Sequence, residues 1–385
     1  MAASSLFERV KEINSIIERD ATDTSYKYAL LRGVAEVCQN YSHFKEEENG
    51  RIYLPTGLLV ERWLLYYYPI VASPQFIPQK GNEKPLEYKQ RNIAFRKQFT
   101  KIIAYYQDKG GFSVFYNDYR TGNIAQEIRK DLRLLVRIIL FTITRYPMKH
   151  LGYSLNRRHY SIFSYEPGGR IEEEKVSPEH LIERCGRFSL DKDLFKVFRD
   201  FGGYLAGNNS VISKWAEFST RANRNIGVDL EKALMVLNEY PISERDIAEA
   251  KNFYSSLLKT RGFLECVWSG RRITDPNYLH IDHVIPFSIW KNNDLWNLMP
   301  ADRGVNLMKR DRIPSQAILS KRRHALQAYW KALLDEYPER FASEVRIALT
   351  GRSHPDSILI AEAFLKLDEK RRFLVENQGY PEWNP

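Results

Sequence analysis

Between His280 and Lys309 the chain reads HIDHVIPFSIWKNNDLWNLMPADRGVNLMK, and this stretch narrows the possible folds more than any other feature. Asp282 stands directly before His283, and Asn297, Asn306 and Lys309 follow in that order. A carboxylate, a base that titrates near neutral pH and a second oxygen donor suit metal-assisted hydrolysis of a phosphodiester, provided the chain brings them together. The flanking sequence supplies a path. Phe263-Leu264-Glu265-Cys266-Val267-Trp268 is rich in strand-forming types, Ser269-Gly270 signals a turn, and Arg271-Arg272-Ile273-Thr274 can return as a second strand. Residues 302–310 read as a short helix that stops before Pro314. The predicted order is hairpin, histidine-bearing segment, helix. A regular strand sends neighbouring side chains to opposite faces, so a bend or bulge is expected at Asp282-His283, with Pro286 marking the end of the strand.

The ligand chemistry follows from residue type. Asp282 offers a hard anionic oxygen and Asn306 a neutral carbonyl oxygen, and such donors favour Mg2+ or Mn2+ over softer metals. A site with few protein ligands suits Mg2+, which keeps several waters and takes up phosphate oxygens of a substrate. His283 is of the type that titrates near neutral pH and accepts a proton from an attacking water. His280 reads as a partly exposed strand residue, and Cys266 and Trp268 read as core packing.

Asp-His-Val-Ile-Pro at 282–286, Asn297 within Leu-Trp-Asn-Leu-Met-Pro, and Asn306-x-x-Lys309 stand where the HNH endonucleases carry their signature positions. Over residues 261–315 the chain resembles that family, whose fold is the ββα-metal finger. The hairpin Cys-Val-Trp-Ser-Gly-Arg-Arg-Ile is similar to the one that opens the HNH domain of some RNA-guided CRISPR effectors. The resemblance implies His283 as general base and Asp282 and Asn306 as the residues that hold the metal. It implies that Asn297 fixes the loop and orients His283, and that Lys309 lies close to the metal–phosphate site. Asn306, where some members carry His, implies the hard-metal version. Many HNH domains hold a structural zinc through two Cys pairs; Cys266 is alone in this region, so no structural zinc is expected.

The remaining sequence bounds the setting. A chain of 385 residues exceeds one ordinary core and predicts two or three domains. With 28% charged and 43% hydrophobic residues it is globular rather than disordered. The net charge of +10 suits a polyanionic partner, here DNA. Cys38, Cys185 and Cys266 are too sparse for a disulfide framework and fit a reducing cytoplasm. The N-terminus reads as an amphipathic helix rather than a signal peptide, and the apolar run at 134–143 is about half a membrane span and contains Arg137, so no membrane association is expected.

The expected fold class is mainly α, with helical flanking domains around a small α+β nuclease module. The predicted parts are an N-terminal helical domain at 1–150, a mixed and mostly helical region at 151–260, the nuclease module at 261–315 and a C-terminal helical segment at 316–385. A helix is predicted to start at Thr56-Gly57 and to carry Leu59, Trp63, Leu64, Tyr67 and Tyr68; others are predicted near 90–107, 124–146, 210–224, 316–337, 338–349 and 356–376, with a loop at 73–89, a strand at 160–165 and a helix start at Ser177-Pro178. Arg129, Arg133 and Arg137 share a helix face that reads as solvated or acid-paired, and Trp63, Tyr66, Tyr67 and Tyr68 read as packing rather than base-stacking residues. Arg303, Arg310, Arg312, Lys321 and Arg322 are the candidate nucleic-acid contacts. The expected function is metal-dependent hydrolysis of DNA in bacterial restriction or antiphage defence. A nuclease subunit whose partner chooses the target and a lapsed nucleic-acid-binding scaffold are the alternatives. Because one such site cuts one strand at a time, a homodimer or a partner protein is a natural companion.

Overall fold

The computed structural model of the chain describes residues 2–19, 22–85, 92–152, 161–173, 175–206, 211–241 and 246–385. They divide into two units, Met1–Pro241 and Ile242–Pro385, each built mainly of helices.

In the first unit, apolar residues at helical spacing bury Ile13, Ile16 and Ile17 of α1 (Ala2–Arg19). Next come α2 (Tyr26–Asn40) and α3 (Thr56–Ala72). The helix α3 is apolar nearly all round, and such a helix belongs inside a core. Its Trp63, Tyr66, Tyr67 and Tyr68 are all buried; Tyr67 meets Phe95 edge-on at 4.7 Å and Tyr68 stacks on Phe112 at 4.5 Å. These rings pack, as the helical spacing predicts, and offer no face to a base. Around α3 run α4 (Arg96–Tyr106), α5 (Gly111–Thr121), α6 (Gln126–Arg145), the short α7 (Pro147–His150), α8 (Pro178–Arg184), α9 (Lys192–Ala206), α10 (Val211–Ala222) and α11 (Leu230–Leu237). Ser177 caps α8 by accepting from the backbone N–H of His180. The apolar run in α6 buries Leu135, Val136, Ile139 and Ile143 but leaves Leu134 and Phe141 exposed, so it is one face of an amphipathic helix. Among the described residues no helix is long and apolar enough to cross a membrane. On the same helix Arg129 donates to the Ile124 carbonyl at 2.7 Å and Arg133 to the Ile171 carbonyl at 3.0 Å, while Arg137 is exposed.

An antiparallel sheet of order β1–β2–β4–β3 belongs to this unit, with β1 (Glu46–Glu48), β2 (Arg51–Pro55), β3 (Phe163–Glu166) and β4 (Arg187–Asp191). Ile52 and Leu54 point inward, opposite Leu190 and Phe188. The β1–β2 hairpin is absent from the sequence reading; it turns at Asn49-Gly50, both with positive φ (50° and 75°), as a two-residue hairpin turn requires. Residues 86–91, 153–160, 174, 207–210 and 242–245 lie outside the described residues, and with them the expected starts of the helices at 90 and 210 and of the strand at 160.

The second unit opens with α12 (Ala248–Arg261) and continues through β5 (Leu264–Glu265), β6 (Arg272–Ile273), β7 (Leu279–His283), α13 (Phe287–Trp290), β8 (Leu298–Asp302), α14 (Arg303–Lys309) and β9 (Ile313–Pro314). It ends with α15 (Gln316–Glu336), α16 (Pro338–Val345), α17 (Asp356–Arg372) and β10 (Glu382–Trp383). The strands form two-membered ladders: β5–β6 and β7–β8 antiparallel, β9–β10 parallel. Cys266, Ile281, Trp296 and Leu298 share one core with Trp330, Leu333, Phe341 and Leu367, so the helices after residue 315 support the strands that precede them. The helices α16 and α17 each continue into a π-helical turn, Arg346–Thr350 and Phe373–Asn377.

Candidate active site

The strand–strand–helix element that carries the motif is β7–β8–α14; the hairpin β5–β6 packs beside it. The β7–β8 register is unbroken, with Asp282 opposite Met299 and His283 opposite Leu298, so the bulge expected at this pair is not there. Asp282 and His283 accordingly meet different neighbours, and each is buried.

After His283 the chain enters a loop that returns at Asn297. Val284 N–H donates to the Asn297 carbonyl at 2.8 Å. The fully buried Asn297 side chain then grips Ile285 on both backbone groups, its Oδ1 accepting from Ile285 N–H at 2.8 Å and its Nδ2 donating to Ile285 C=O at 3.0 Å. Asn297→Ala is expected to leave both Ile285 groups buried and unpaired, at about 1–3 kcal/mol each, lowering stability by roughly 3 kcal/mol in total. Urea unfolding checks this, and a wild-type midpoint would remove the staple.

The His283 imidazole is held by Asn293, whose Oδ1 lies 3.1 Å from Nε2, and by the Phe287 ring at 5.6 Å between centroids. An amide oxygen only accepts, so Nε2 is the donor of this bond. Asn293 escaped the sequence reading, whose sole available cue was the polar run Asn292-Asn293-Asp294 between apolar residues.

Asp282 is 6% exposed, and its carboxylate is oriented from two sides. Trp268 Nε1 donates to Oδ2 at 2.6 Å, and Lys309 Nζ lies 3.1 Å from Oδ2 and 3.4 Å from Oδ1. Lys309 is fully buried and also donates to the His283 carbonyl at 2.7 Å. Trp268 is core packing, as read from its type, and in addition a direct partner of Asp282. The helix α14 follows β8 without a loop because Asp302 ends the strand and caps the helix, accepting from Gly304 N–H at 3.0 Å and Val305 N–H at 3.3 Å. Asn306 is half-buried and sits three residues before Lys309 on the same helix.

Among the described residues no three His, Cys, Asp or Glu side chains cluster as a metal cage. Asp282 and Asn306, the two residues that would hold a cation, carry hard oxygens, and Asp282 is anchored by the Trp268 hydrogen bond to Oδ2. Such a set fits Mg2+ or Mn2+, and the anchoring bond is of the kind that orients metal-binding carboxylates.

Of the candidate nucleic-acid contacts, Arg303, Arg310 and Lys321 are exposed. Arg312 turns back onto the Met308 and Lys309 carbonyls. Arg322 clamps the hairpin turn, donating to the carbonyls of Val267 at 2.8 Å and Cys266 at 3.2 Å and pairing with Glu265 at 3.1 Å. That clamp needs Gly270, whose φ is +75° and where a Cβ would come within 2.6 Å of the Arg322 guanidinium. His280 is half-exposed opposite Ala301. Support comes from the surrounding helices: Tyr254 Oη donates to the Leu298 carbonyl at 3.1 Å, Trp330 Nε1 to the Trp296 carbonyl at 2.8 Å, and Glu344 accepts from Leu295 N–H at 2.7 Å.

The family model described as HNH endonuclease matches residues 266–315, which supports an HNH domain there and with it nuclease chemistry. A second model, described as Domain of unknown function (DUF8808), matches residues 7–237. No curated protein and no solved structure matches the chain. The second match spans more than half of the sequence, and the chain belongs to the DUF8808 family.

Proposed function

We propose that this DUF8808-family chain is a metal-dependent endonuclease that hydrolyses DNA phosphodiester bonds at Asp282, His283 and Asn306. The observation that carries the reading is a buried base, held at Nε2 by Asn293, next in the chain to a buried carboxylate held by Trp268 and Lys309. Asp282 and Asn306 are the oxygens that would hold the cation. When bound, Mg2+ or Mn2+ neutralises charge on the scissile phosphate and the leaving 3′ oxygen. His283 accepts a proton at Nδ1 from a water aligned with the phosphorus, while Asn293 keeps the ring from turning. Asn297 keeps the loop that carries Asn293 closed onto β7. Lys309 fixes the end of β7 against α14 and adds positive charge beside the phosphate. Arg303, Arg310 and Lys321 contribute exposed positive charge for the nucleic-acid backbone, in keeping with the net charge of +10.

A cytoplasmic role in restriction or antiphage defence is the setting we favour, on the association of an HNH domain with a separate helical unit. One site cuts one strand, so a duplex break takes two copies or two nicks.

Supercoiled plasmid with Mg2+ and purified protein tests the reading. Conversion to open circles is expected, with complete loss in EDTA. Asn306→Ala is expected to raise the Mg2+ concentration needed for half-maximal nicking at least about tenfold. Cleavage that survives EDTA would remove the metal from the mechanism, and a protein that never nicks would remove the nuclease.

A further inference from the structure

We infer that Trp268 is the positioning residue of the cation-binding carboxylate, and that the last strand of the chain, β10, sets Trp268 through Trp383. The inference rests on the reading of Asp282 as a metal ligand.

Trp268 lies in the hairpin turn between β5 and β6, and its indole is 3% exposed. Three groups meet it. Its Nε1–H donates to Asp282 Oδ2 at 2.6 Å, the Lys309 ammonium lies 5.6 Å from its ring centroid, and the Trp383 ring stands edge-on at 6.2 Å and 79°. The turn that carries it is tied down independently, by Val267 N–H donating to the Pro300 carbonyl at 2.9 Å and by the Arg322 clamp.

The indole N–H decides which way the carboxylate faces. Lys309 approaches both carboxylate oxygens, and a carboxylate free to rotate would turn to pair with the ammonium as fully as it could. Trp268 and the nearer Lys309 contact both fall on Oδ2, so Oδ1, which Lys309 reaches only at 3.4 Å, is the oxygen that would meet a cation. A phenylalanine could not do this, since its ring fills the same kind of space but carries no donor.

Trp383 belongs to β10, and β10 is firmly docked. Ile313 N–H donates to the Pro381 carbonyl at 3.0 Å and Ser315 N–H to the Trp383 carbonyl at 2.9 Å. Arg371, buried in α17, pairs with Glu382 at 2.9 Å and Asp368 at 2.8 Å. Trp383 is 3% exposed and fills the space behind Trp268. The residues around 383 thus act on a carboxylate a hundred positions earlier through a single ring-to-ring contact.

The test is Mn2+ binding to the full chain without DNA, read by electron paramagnetic resonance, with thermal unfolding measured alongside. Trp268→Phe keeps the ring and deletes the donor. It is expected to weaken Mn2+ binding about 10- to 100-fold while the folded state remains cooperative. Trp383→Ala is expected to weaken binding in the same direction, and Trp383→Phe, which keeps an aromatic edge, to restore most of it. Should Trp383→Ala fail to fold, Trp383→Leu, which keeps apolar bulk without an aromatic edge, takes its place, and wild-type Mn2+ binding by whichever of the two folds overturns the role of Trp383. A Trp268→Phe protein that binds Mn2+ as the wild type does, whether or not its unfolding midpoint falls, overturns the inference and leaves the nuclease reading intact. A wild-type chain that neither binds Mn2+ nor nicks plasmid overturns both.

Discussion

Replacing His283 by alanine is expected to lower single-turnover plasmid nicking about 10²- to 10⁴-fold, the range that a positioned general base supplies. The loss belongs to chemistry because of where the imidazole stands. It closes the β7 strand, its ring is fixed by Asn293 and Phe287, and neither the Asp282–Lys309 pair nor the Asn297 staple passes through it. The variant should therefore bind Mn2+ and DNA as the wild type does and unfold cooperatively, with a modest loss of stability from the cavity left in a buried site. Mobility shift on a non-cleaved duplex and thermal unfolding check these arms. An H283A protein that still nicks at the wild-type rate removes the base from the mechanism, and with it the strongest reason to assign this reaction.

What was legible in the sequence was whatever lies close along the chain. Asp282, His283 and Lys309 come together because an antiparallel strand pair and a directly following helix return the chain on itself, and each step has a local cause: strand-forming residues in β7 and β8, Asp302 as cap, Asn297 as staple. The helical flanks were legible for the same reason, since 3.6-residue periodicity is a local signal. The long-range contacts were not. Trp268 reaches Asp282 because Val267 is pinned to Pro300 and Arg322 reaches back from α15 to the turn, and no spacing in the sequence encodes either link. Of the sheet in the first unit the expected strand at 160–165 overlaps β3, while the β1–β2 edge was hidden twice over. Its edge strand is Glu46-Glu47-Glu48, which reads as a solvated charge run, and it is held by Arg187 on β4, a strand that arrives far later in the chain. Its Asn49-Gly50 turn was a readable hairpin signal that those glutamates masked.

Asp282→Asn is expected to stop nicking and to destabilise the protein, and the two losses can be separated. The Lys309 ammonium is fully buried and its carboxylate partner is 8% exposed, so the pair sits where solvent screens little. Neutralising Asp282 alone takes this carboxylate from the ammonium, which keeps the His283 carbonyl, and leaves the Trp268 N–H pointing in; breaking a buried pair in this way costs about 3–5 kcal/mol. Lys309→Met alone strands the carboxylate instead, although the methionine keeps an apolar stem against Trp268. The double variant D282N/K309M buries neither charge of the pair. Its loss of stability should therefore fall short of the sum of the single losses by about 2–3 kcal/mol, measured by urea unfolding of the four proteins without metal. Nicking should stay absent in the double variant, because the oxygen that would hold the cation has lost its charge. Additive losses would mean that the ion pair carries no net coupling and that Lys309 serves the site in another way. A double variant that regains nicking would show that Asp282 holds no metal, and would leave the pair as a brace between β7 and α14.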